Sequence, residues 1–329
     1  GRRFYTDGPC IHRYLAELSH DCGLKDYLTV GEMSSTSLEN CISYGKELSM
    51  AFSFLHLKVD YNDGDKWRVK PFRPKVLFDL LDEWQKGMQE GDAWNTLFWS
   101  NHDQPRIVSR FGNDGPYWRQ SAKMLATAMY LLRGTPFIFQ GEEIGMTNAG
   151  FTSIDEYRDV ESLTMYRIMR EEGWSEKDII TTLGERSRDN SRTPMQWDTS
   201  PLAGFSSHEP WIAINPNHSY VNVETEKADP DSILWWYKRL IALRKRSVTI
   251  QSGCYERLDF ANTMVFAYRR IGEDGTYTIL CNFTGGEASF NTIPSGNIVM
   301  SNYSDPPAPG LLRPFEAVVY HVQKEKTKA

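Results

Sequence analysis

Thr96-Leu97-Phe98-Trp99-Ser100-Asn101-His102-Asp103 is an apolar run that changes to polar residues at Asn101 and then reaches a carboxylate. The same change occurs upstream, where Tyr27-Leu28-Thr29-Val30-Gly31 leads to Glu32. Each run predicts a short buried strand with an acid at its carboxyl end. Burying a lone carboxylate is costly, so an acid in such a place is either paired or functional. In parallel α/β folds, functional residues lie at this end of the strands, and we expect Glu32 and Asp103 to share one edge of a sheet.

Predicted helices and strands alternate up to about residue 247, and a long polar excursion at about 141–229 interrupts the alternation. Near-continuous apolar strands that alternate with amphipathic helices are typical of a parallel sheet covered by helices. The predicted strands are 27–31, 50–57, 96–100 and 136–140, and the predicted helices are 76–88, 118–132, one that begins at Pro9 and one that Asp229-Pro230 caps.

Past about Ser247 the pattern changes to short strands, which predicts a second, small antiparallel all-β domain over 248–329 with a sandwich-like architecture. Gly272-Glu273-Asp274-Gly275 is a hairpin turn signal between two of these strands. The predicted strands are 264–269, 276–283, 288–291, 298–301 and 315–322.

The composition is that of an ordinary globular protein, with 329 residues, 40% hydrophobic and 24% charged. A net charge of −6 provides no overall attraction to nucleic acid or to an anionic membrane. The five cysteines are odd in number and form no CxxC, which argues against a disulfide framework or a zinc site and favours a reducing compartment. We therefore expect a cytoplasmic protein without nucleic-acid partner, membrane anchor, metal or organic cofactor, with Cys22 and Cys281 as buried free thiols.

Hydrolysis of a glycosidic bond needs two carboxyl groups, one that protonates the leaving oxygen and one that attacks the anomeric carbon or activates water. Glu32 has apolar sequence neighbours, which favour a protonated acid. Asp103 lies among Asn101, His102 and Arg106, a polar setting that favours an ionised carboxylate able to hold sugar hydroxyls. The alternative is that each acid caps the following helix or pairs with a local arginine.

The chain resembles the later conserved segments of the α-amylase family, glycoside hydrolase family 13. The matching segments are Val30-Gly31-Glu32, Asn101-His102-Asp103-Gln104-Pro105-Arg106, Gly134-Thr135-Pro136 through Gln140-Gly141-Glu142-Glu143, and Ser187-Arg188-Asp189-Asn190-Ser191-Arg192-Thr193-Pro194-Met195-Gln196-Trp197. The last segment is similar to the oligo-1,6-glucosidase group, which includes the trehalose-6-phosphate hydrolases. The resemblance implies that 1–247 is the second half, strands five to eight, of a (β/α)8 TIM barrel, followed by the all-β C-terminal domain.

The resemblance also implies the roles of individual residues in a retaining α-glucosidase. Glu32 would be the general acid/base, and Asp103 would stabilise the transition state. His102 and Arg188 would bind the reacting glucose, and Glu161 would line the neighbouring subsite. For Arg188 and Glu161, the alternative is an ion pair or a solvated helix face.

The family's nucleophile is an aspartate in a motif like Gly-Phe-Arg-Met-Asp, and no such motif occurs in residues 1–329. By resemblance it would lie upstream of Gly1, because residues 1–9 are similar to the segment that follows it. We therefore expect the first half of the barrel as a partner, and we expect the 329-residue chain alone to be inactive by the retaining route.

The stretch 50–61, followed by 64–67, is most similar to the trehalose-6-phosphate hydrolases. The loop that contains and follows this stretch is basic, and its cations are Lys58, Lys66, Arg68 and Lys70. Phosphate binds such clusters through charge-assisted hydrogen bonds. The predicted substrate is therefore the disaccharide trehalose 6-phosphate, with glucose and glucose 6-phosphate as products. Lys66 also matches a lysine of the 1,6-glucosidases, so an oligo-1,6-glucosidase acting on isomaltose-type sugars remains an alternative. The alternative to a phosphate site is a solvated basic loop, and the alternative to an enzyme is a non-catalytic scaffold that resembles this family.

Overall fold

The computed structural model describes residues 6–290 and 294–324. Its helices are α1 (Ile11–Asp21), α2 (Leu38–Tyr44), α3 (Pro74–Glu90), α4 (Ile107–Phe111), α5 (Trp118–Tyr130), α6 (Val160–Glu171), α7 (Glu176–Arg186), α8 (Asp189–Arg192), α9 (Val223–Ala228), α10 (Ile233–Arg246) and α11 (Val248–Ser252). Its strands are β1 (Val30–Glu32), β2 (Met50–Phe52), β3 (Tyr61–Asn62), β4 (Asp65–Val69), β5 (Thr96–Leu97), β6 (Thr135–Pro136), β7 (Cys254–Arg257), β8 (Val265–Gly272), β9 (Gly275–Asn282), β10 (Ala288–Ser289), β11 (Asn297–Ser301), β12 (Leu311–Leu312) and β13 (Ala317–Gln323).

Each of the two strands that lead to an acid pairs with a parallel neighbour, as predicted. β1 pairs with β2, β5 pairs with β6, and a parallel bridge between Ala51 and Asn95 connects the two pairs. The strands are shorter than predicted, because the backbone beyond them finds other partners. After β2 the chain turns into a 3₁₀ helix, Leu55–Leu57. After β5, the Phe98 carbonyl accepts a hydrogen bond from the His56 side chain at 2.8 Å.

The face formed by α1 and β1 is exposed, which contradicts the prediction of a buried strand at 27–31. Tyr27 and Leu28 are 70% and 69% exposed, and α1 contains no buried residue. Cys22 is likewise exposed rather than buried, whereas Cys281 is buried as predicted. Pro9 precedes the helix, whose N-cap is Cys10. The physical reason is that, among the described strands, only β2 pairs with β1. The apolar side chains of β1 and α1 therefore have no second surface to pack against on this face.

One large hydrophobic core connects α3, α5 and α10 with the C-terminal strands. Trp99 is fully buried, and its indole N–H donates to the Leu125 carbonyl at 2.7 Å. Phe78 of α3 stacks on Phe266 of β8, with ring centroids 4.9 Å apart. Each such side chain stabilises the fold by about 1.5–3 kcal/mol through burial. The core therefore holds α3 and α5 against the C-terminal sheet.

The antiparallel C-terminal region is confirmed. β7, β8, β9, β11 and β13 form a sheet in the order β11-β13-β9-β8-β7. The predicted turn is present, with Gly272 opposite Gly275 across the β8–β9 hairpin. β7 and β12 lack a clear sequence signal, and the end of the predicted strand 288–291 lies outside the described residues. The boundary at 247 stays a prediction.

The excursion folds around a small core of its own, which places α6 and α7 beside the β3–β4 hairpin. Tyr157, Ile179 and Leu183 are buried together with Trp67 of β4. Basic and acidic side chains of the hairpin and of α6 consequently face each other. Within 6–290 and 294–324, no helix is long and apolar enough to cross a membrane.

Candidate active site

Asp103 lies in the loop after β5, and arginine side chains hold its carboxylate in place. Its backbone N–H donates to the Asn101 side chain at 2.9 Å, which shapes the loop. Oδ1 lies 3.0 Å from an Arg192 nitrogen and 3.4 Å from an Arg188 nitrogen. The His102 ring approaches Oδ2 at 3.6 Å. Two guanidinium groups therefore orient this carboxylate, and the predicted neighbours His102 and Arg188 both lie beside it.

Glu161, at the start of α6, extends this charged network toward the β3–β4 hairpin. One of its oxygens accepts from Arg188 Nε at 2.9 Å and from Lys66 Nζ at 2.8 Å. The Lys66 ammonium is mostly buried, and burial lowers the pKa of Lys66, although Glu161 opposes this effect. The structure thus brings four predicted site residues into one chain of contacts, Lys66–Glu161–Arg188–Asp103.

Arg192 belongs to the same network, although our sequence interpretation did not single it out. It donates to the Asp159 carboxylate at 2.6 Å and to the His102 carbonyl at 2.9 Å, besides its contact with Asp103. The segment 187–197 contained a signal for Arg192, because Arg188 and Arg192 are four residues apart and residues at that spacing lie on the same face of a helical turn. Asp159 had no such signal, because the contact spans 33 residues.

Glu32 is the last residue of β1 and faces a cavity of about 260 Å³ that it shares with His102. The rings of Phe52 and Phe98 line the same cavity, in an edge-to-face pair 5.0 Å apart. The Glu32 side chain is nevertheless exposed. The apolar surroundings that we expected from its sequence neighbours are therefore absent, because Val30 itself is partly exposed. Phe52 of β2 and Phe98, the residue that follows β5, supply an apolar wall of the cavity instead.

The four basic residues after β2 do not converge on one point. The Lys58 ammonium donates to the Ser34 carbonyl at 2.6 Å, on the loop that follows β1. Lys66 belongs to the Asp103 network described above, Arg68 is largely exposed and paired with acids at the surface, and Lys70 is exposed. Lys58 is therefore the basic side chain of this set that lies beside the Glu32 loop.

Arg106 is not part of the polar setting of Asp103, contrary to our expectation. Its buried guanidinium donates to the backbone carbonyls of Gln140, Asn190 and Ser191, at 2.6–3.2 Å. These carbonyls belong to the segment after β6 and to α8. Arg106 consequently connects the loop that carries Asp103 with the helix that carries Arg192.

A buried carboxyl group follows β6. Glu142 accepts hydrogen bonds from the hydroxyls of Tyr130 and Tyr237, the latter at 2.8 Å. Burial raises the pKa of Glu142 to about 7, although both hydroxyls favour its ionised form. Among the described residues, no group of His, Cys, Asp and Glu side chains is arranged to hold a metal ion.

Comparison with known proteins places this chain in a family. A model of the alpha amylase catalytic domain matches residues 1–253. The trehalose-6-phosphate hydrolase of Bacillus subtilis is 46% identical over 341 residues, which cover 98% of this chain and 60% of that protein. The oligo-1,6-glucosidase of Bacillus cereus is 42% identical, with 98% of this chain and 60% of that protein covered.

Solved structures agree with the sequence relatives. The crystal structure of Bacillus licheniformis trehalose-6-phosphate hydrolase superposes with a TM-score of 0.92 at 46% identity, over 98% of this chain and 61% of that one. The chain thus spans 60% of the length of the curated relatives named above. With the family model matching residues 1–253, the chain belongs to the α-amylase family.

Proposed function

We propose that this chain carries the acid/base and the transition-state-stabilising residue of an α-glucosidase. The observation that carries this proposal is the Asp103 carboxylate, which Arg188 and Arg192 hold at 3.4 and 3.0 Å, while the preceding residue His102 lines a cavity together with Glu32. Family membership supports the same assignment. A scaffold without chemistry would not require a carboxylate held by two arginines immediately after a residue that shares a cavity with a second acid.

In this mechanism Glu32 protonates the leaving oxygen and later removes a proton from water, while the family's nucleophile forms the glycosyl intermediate. The exposed position of Glu32 at the end of β1 leaves it accessible to the glycosidic oxygen. Asp103 and His102 hold hydroxyls of the reacting glucose. Arg188 and Glu161 extend toward Lys66, so the leaving group would lie on the side of the β3–β4 hairpin.

We also propose that the four parallel strands are strands five to eight of a (β/α)8 barrel, with residues 1–247 as the barrel half and 248–329 as the C-terminal domain. The exposed Tyr27 and Leu28 beside β1 support a further packing partner on that face. The portion that the relatives have and this chain does not match would supply it. Residues 1–329 contain no nucleophile motif, so the 329-residue chain by itself is expected to release no product from an aryl α-glucoside.

The proposed substrate is trehalose 6-phosphate, which yields glucose and glucose 6-phosphate. The relatives named as trehalose-6-phosphate hydrolases are 46% identical to this chain, against 42% for the oligo-1,6-glucosidase of Bacillus cereus. Lys58 lies beside the Glu32 loop, where an ammonium group could bind a phosphate at the leaving-group side. A small-molecule sugar is therefore the partner we propose for the cavity.

The test is glucose release from trehalose 6-phosphate and from isomaltose, measured side by side on the native protein that contains this chain. Replacement of Lys58 by Ala should lower kcat/KM for the phosphosugar by about 10-fold or more, since hydrogen bonds to charged groups contribute ~1.5–3 kcal/mol, whereas Arg68→Ala should have a smaller effect because Arg68 is paired with acids at the surface. Isomaltose cleavage should be spared. The matched control is Lys86→Ala, which removes a surface ammonium paired with Asp82 on α3.

Equal loss on both substrates would refute the phosphate assignment, and a preference of the unmodified protein for isomaltose would identify an oligo-1,6-glucosidase. Glu32→Gln and Asp103→Asn test the catalytic assignment itself. Each should lower kcat by at least ~100-fold, since general acid–base groups and preorganised charges contribute on this scale. Unchanged turnover in both variants would refute the catalytic assignment of Glu32 and Asp103, and absence of turnover in the unmodified protein would favour a scaffold.

A further inference from the structure

Asp60 is a buried acid outside the cavity, and it is shared by two buried arginines. It is 2% exposed. Its Oδ1 lies 2.6 Å from Arg110 Nη2, and its Oδ2 lies 2.7 Å from Arg186 Nη1. The two guanidinium side chains are 4% and 5% exposed. Burial alone would raise the pKa of Asp60, but the two arginines outweigh it and lower the pKa, so the carboxyl group is ionised.

Such a trio is a weak source of stability. Desolvating three charges costs several kcal/mol per ion, and apolar side chains of equal volume often stabilise a fold as well. One carboxylate faces two guanidinium groups here, so the trio also retains an unbalanced positive charge. The other charged groups that line the adjacent cavity, of about 400 Å³, are Lys70 and Glu185. The arrangement therefore calls for a role other than stability.

Each member of the trio lies on a segment that carries a site residue. Arg110 is on α4, the helix that follows Asp103, and it also donates to the Gln104 side chain at 2.9 Å. Arg186 ends α7, two residues before Arg188. The trio therefore connects the Asp103 loop with the Arg188 segment.

The third segment is the β3–β4 hairpin that carries Lys66. Asp60 immediately precedes β3, and its backbone carbonyl accepts from Lys70 N at 3.0 Å just after β4. Asp60 thus closes the base of this hairpin with its backbone while its side chain binds the other two segments. Arg110 also donates to the Leu57 carbonyl, which ties the same place to the segment after β2.

We propose that Asp60 is a positioning residue, which sets the Lys66 hairpin against the segments of Asp103 and Arg188 so that their side chains form one network. This inference rests on the proposed function, because it assigns Asp60 to the geometry of that site. The Lys66–Glu161–Arg188–Asp103 contacts span four segments, namely the β3–β4 hairpin, α6, the Arg188 segment and the Asp103 loop, which share no regular hydrogen-bonded pairing in the described residues. The Asp60 trio joins three of these segments, all except α6, by a second route.

The first arm of the test measures amide hydrogen exchange on the native protein that contains this chain, in the Asp60→Asn variant and a matched control. The control is Glu316→Gln, since Glu316 is also fully buried and bound by an arginine, Arg313, at 2.6 Å. Asp60→Asn should raise exchange at least 5-fold in 57–70, 104–112 and 184–192 together. Glu316→Gln should raise it only near 302–317. Exchange in Asp60→Asn that is unchanged, or raised uniformly over the chain, overturns the proposal.

The second arm measures KM and kcat, at a temperature where circular dichroism shows both variants fully folded. Asp60→Asn should raise KM for the disaccharide about 10-fold and change KM for an aryl α-glucoside less than 3-fold, because the Lys66 hairpin faces the leaving group. Glu316→Gln should change neither. A fall of kcat by the same factor on both substrates with constant KM would mean lost folded protein and would overturn the proposal.

If Asp60→Asn fails to fold, Arg186→Lys replaces it, because it weakens one contact of the carboxylate and leaves the other. That variant should raise exchange in 57–70 and 184–192 but not in 104–112, and any other pattern overturns the proposal. If the native protein hydrolyses neither substrate, the proposed function fails, whereas the exchange arm still decides the role of Asp60.

Discussion

Replacement of Glu142 by Gln tests whether burial of the Glu142 carboxyl group makes the stability of the protein depend on pH. Burial raises the pKa of Glu142 from 4.5 to about 7. Because the folded carboxyl group binds its proton more tightly than the unfolded one, its contribution to stability is fully present below about pH 4.5. It is then lost as the pH rises through about 7. At 1.36 kcal/mol for each pKa unit, the loss amounts to roughly 3 kcal/mol.

Glu142→Gln keeps an oxygen for the Tyr130 and Tyr237 hydroxyls but cannot ionise. The free energy of unfolding, measured in urea at pH 5 and at pH 8, should therefore fall less for the variant than for the wild type. The free energy of unfolding of the variant minus that of the wild type should therefore rise by roughly 2–3 kcal/mol between pH 5 and pH 8.

Glu287→Gln is the control for this experiment, since it removes one carboxylate at an exposed position. It should not produce the shift. A change of less than ~1 kcal/mol for Glu142→Gln between the two pH values, or a change in favour of the wild type, would refute the reasoning from burial.

Two further predictions concern thiols and a hairpin. The exposed Cys22 and Cys254 should react with a thiol reagent in the native state, whereas Cys281 should react only after unfolding, because burial raises the pKa of its thiol; equal native-state rates for Cys254 and Cys281 would contradict this. Gly275→Ala should lower the free energy of unfolding by at least ~2 kcal/mol, because the φ of +126° is strained for alanine and the added methyl group overlaps the backbone of β13. The control is Gly286→Ala, whose methyl group would meet only the Thr284 hydroxyl, at an ordinary contact distance of 3.9 Å, and which should melt at the wild-type temperature. A Gly275→Ala variant that also melted at that temperature would show the hairpin argument to be wrong.

The parts of the fold that could be predicted are those that depend on neighbours in the sequence. The apolar run at 96–100 and the hairpin turn at Gly272–Gly275 were interpreted correctly, because strand alternation and turn chemistry are local. The length of the strands was overestimated, since the end of a strand depends on whether a partner strand continues beside it. His56 illustrates this point, because its side chain replaces a strand neighbour at the Phe98 carbonyl.

Burial was the least predictable property. The apolar spacing of α1 is as regular as that of α3, yet α1 has no buried residue whereas α3 buries Leu77 and Phe78. A helix can show which face it would bury, but burial needs a second surface. The same reason explains why Glu32 is exposed although its sequence neighbours are apolar.

The amino-acid sequence by itself determined the types of the elements, the parallel and antiparallel halves, and the residue types of the candidate site, because these follow from local spacing and from short motifs. The tertiary structure alone decided which charges meet. Lys66 and Glu161 are 95 residues apart, and Asp60 and Arg186 are 126 apart. Two opposite charges attract each other strongly only when they lie within a few ångströms. Only the packing of α4, α6, α7 and the β3–β4 hairpin brings residues so distant in the sequence within that range.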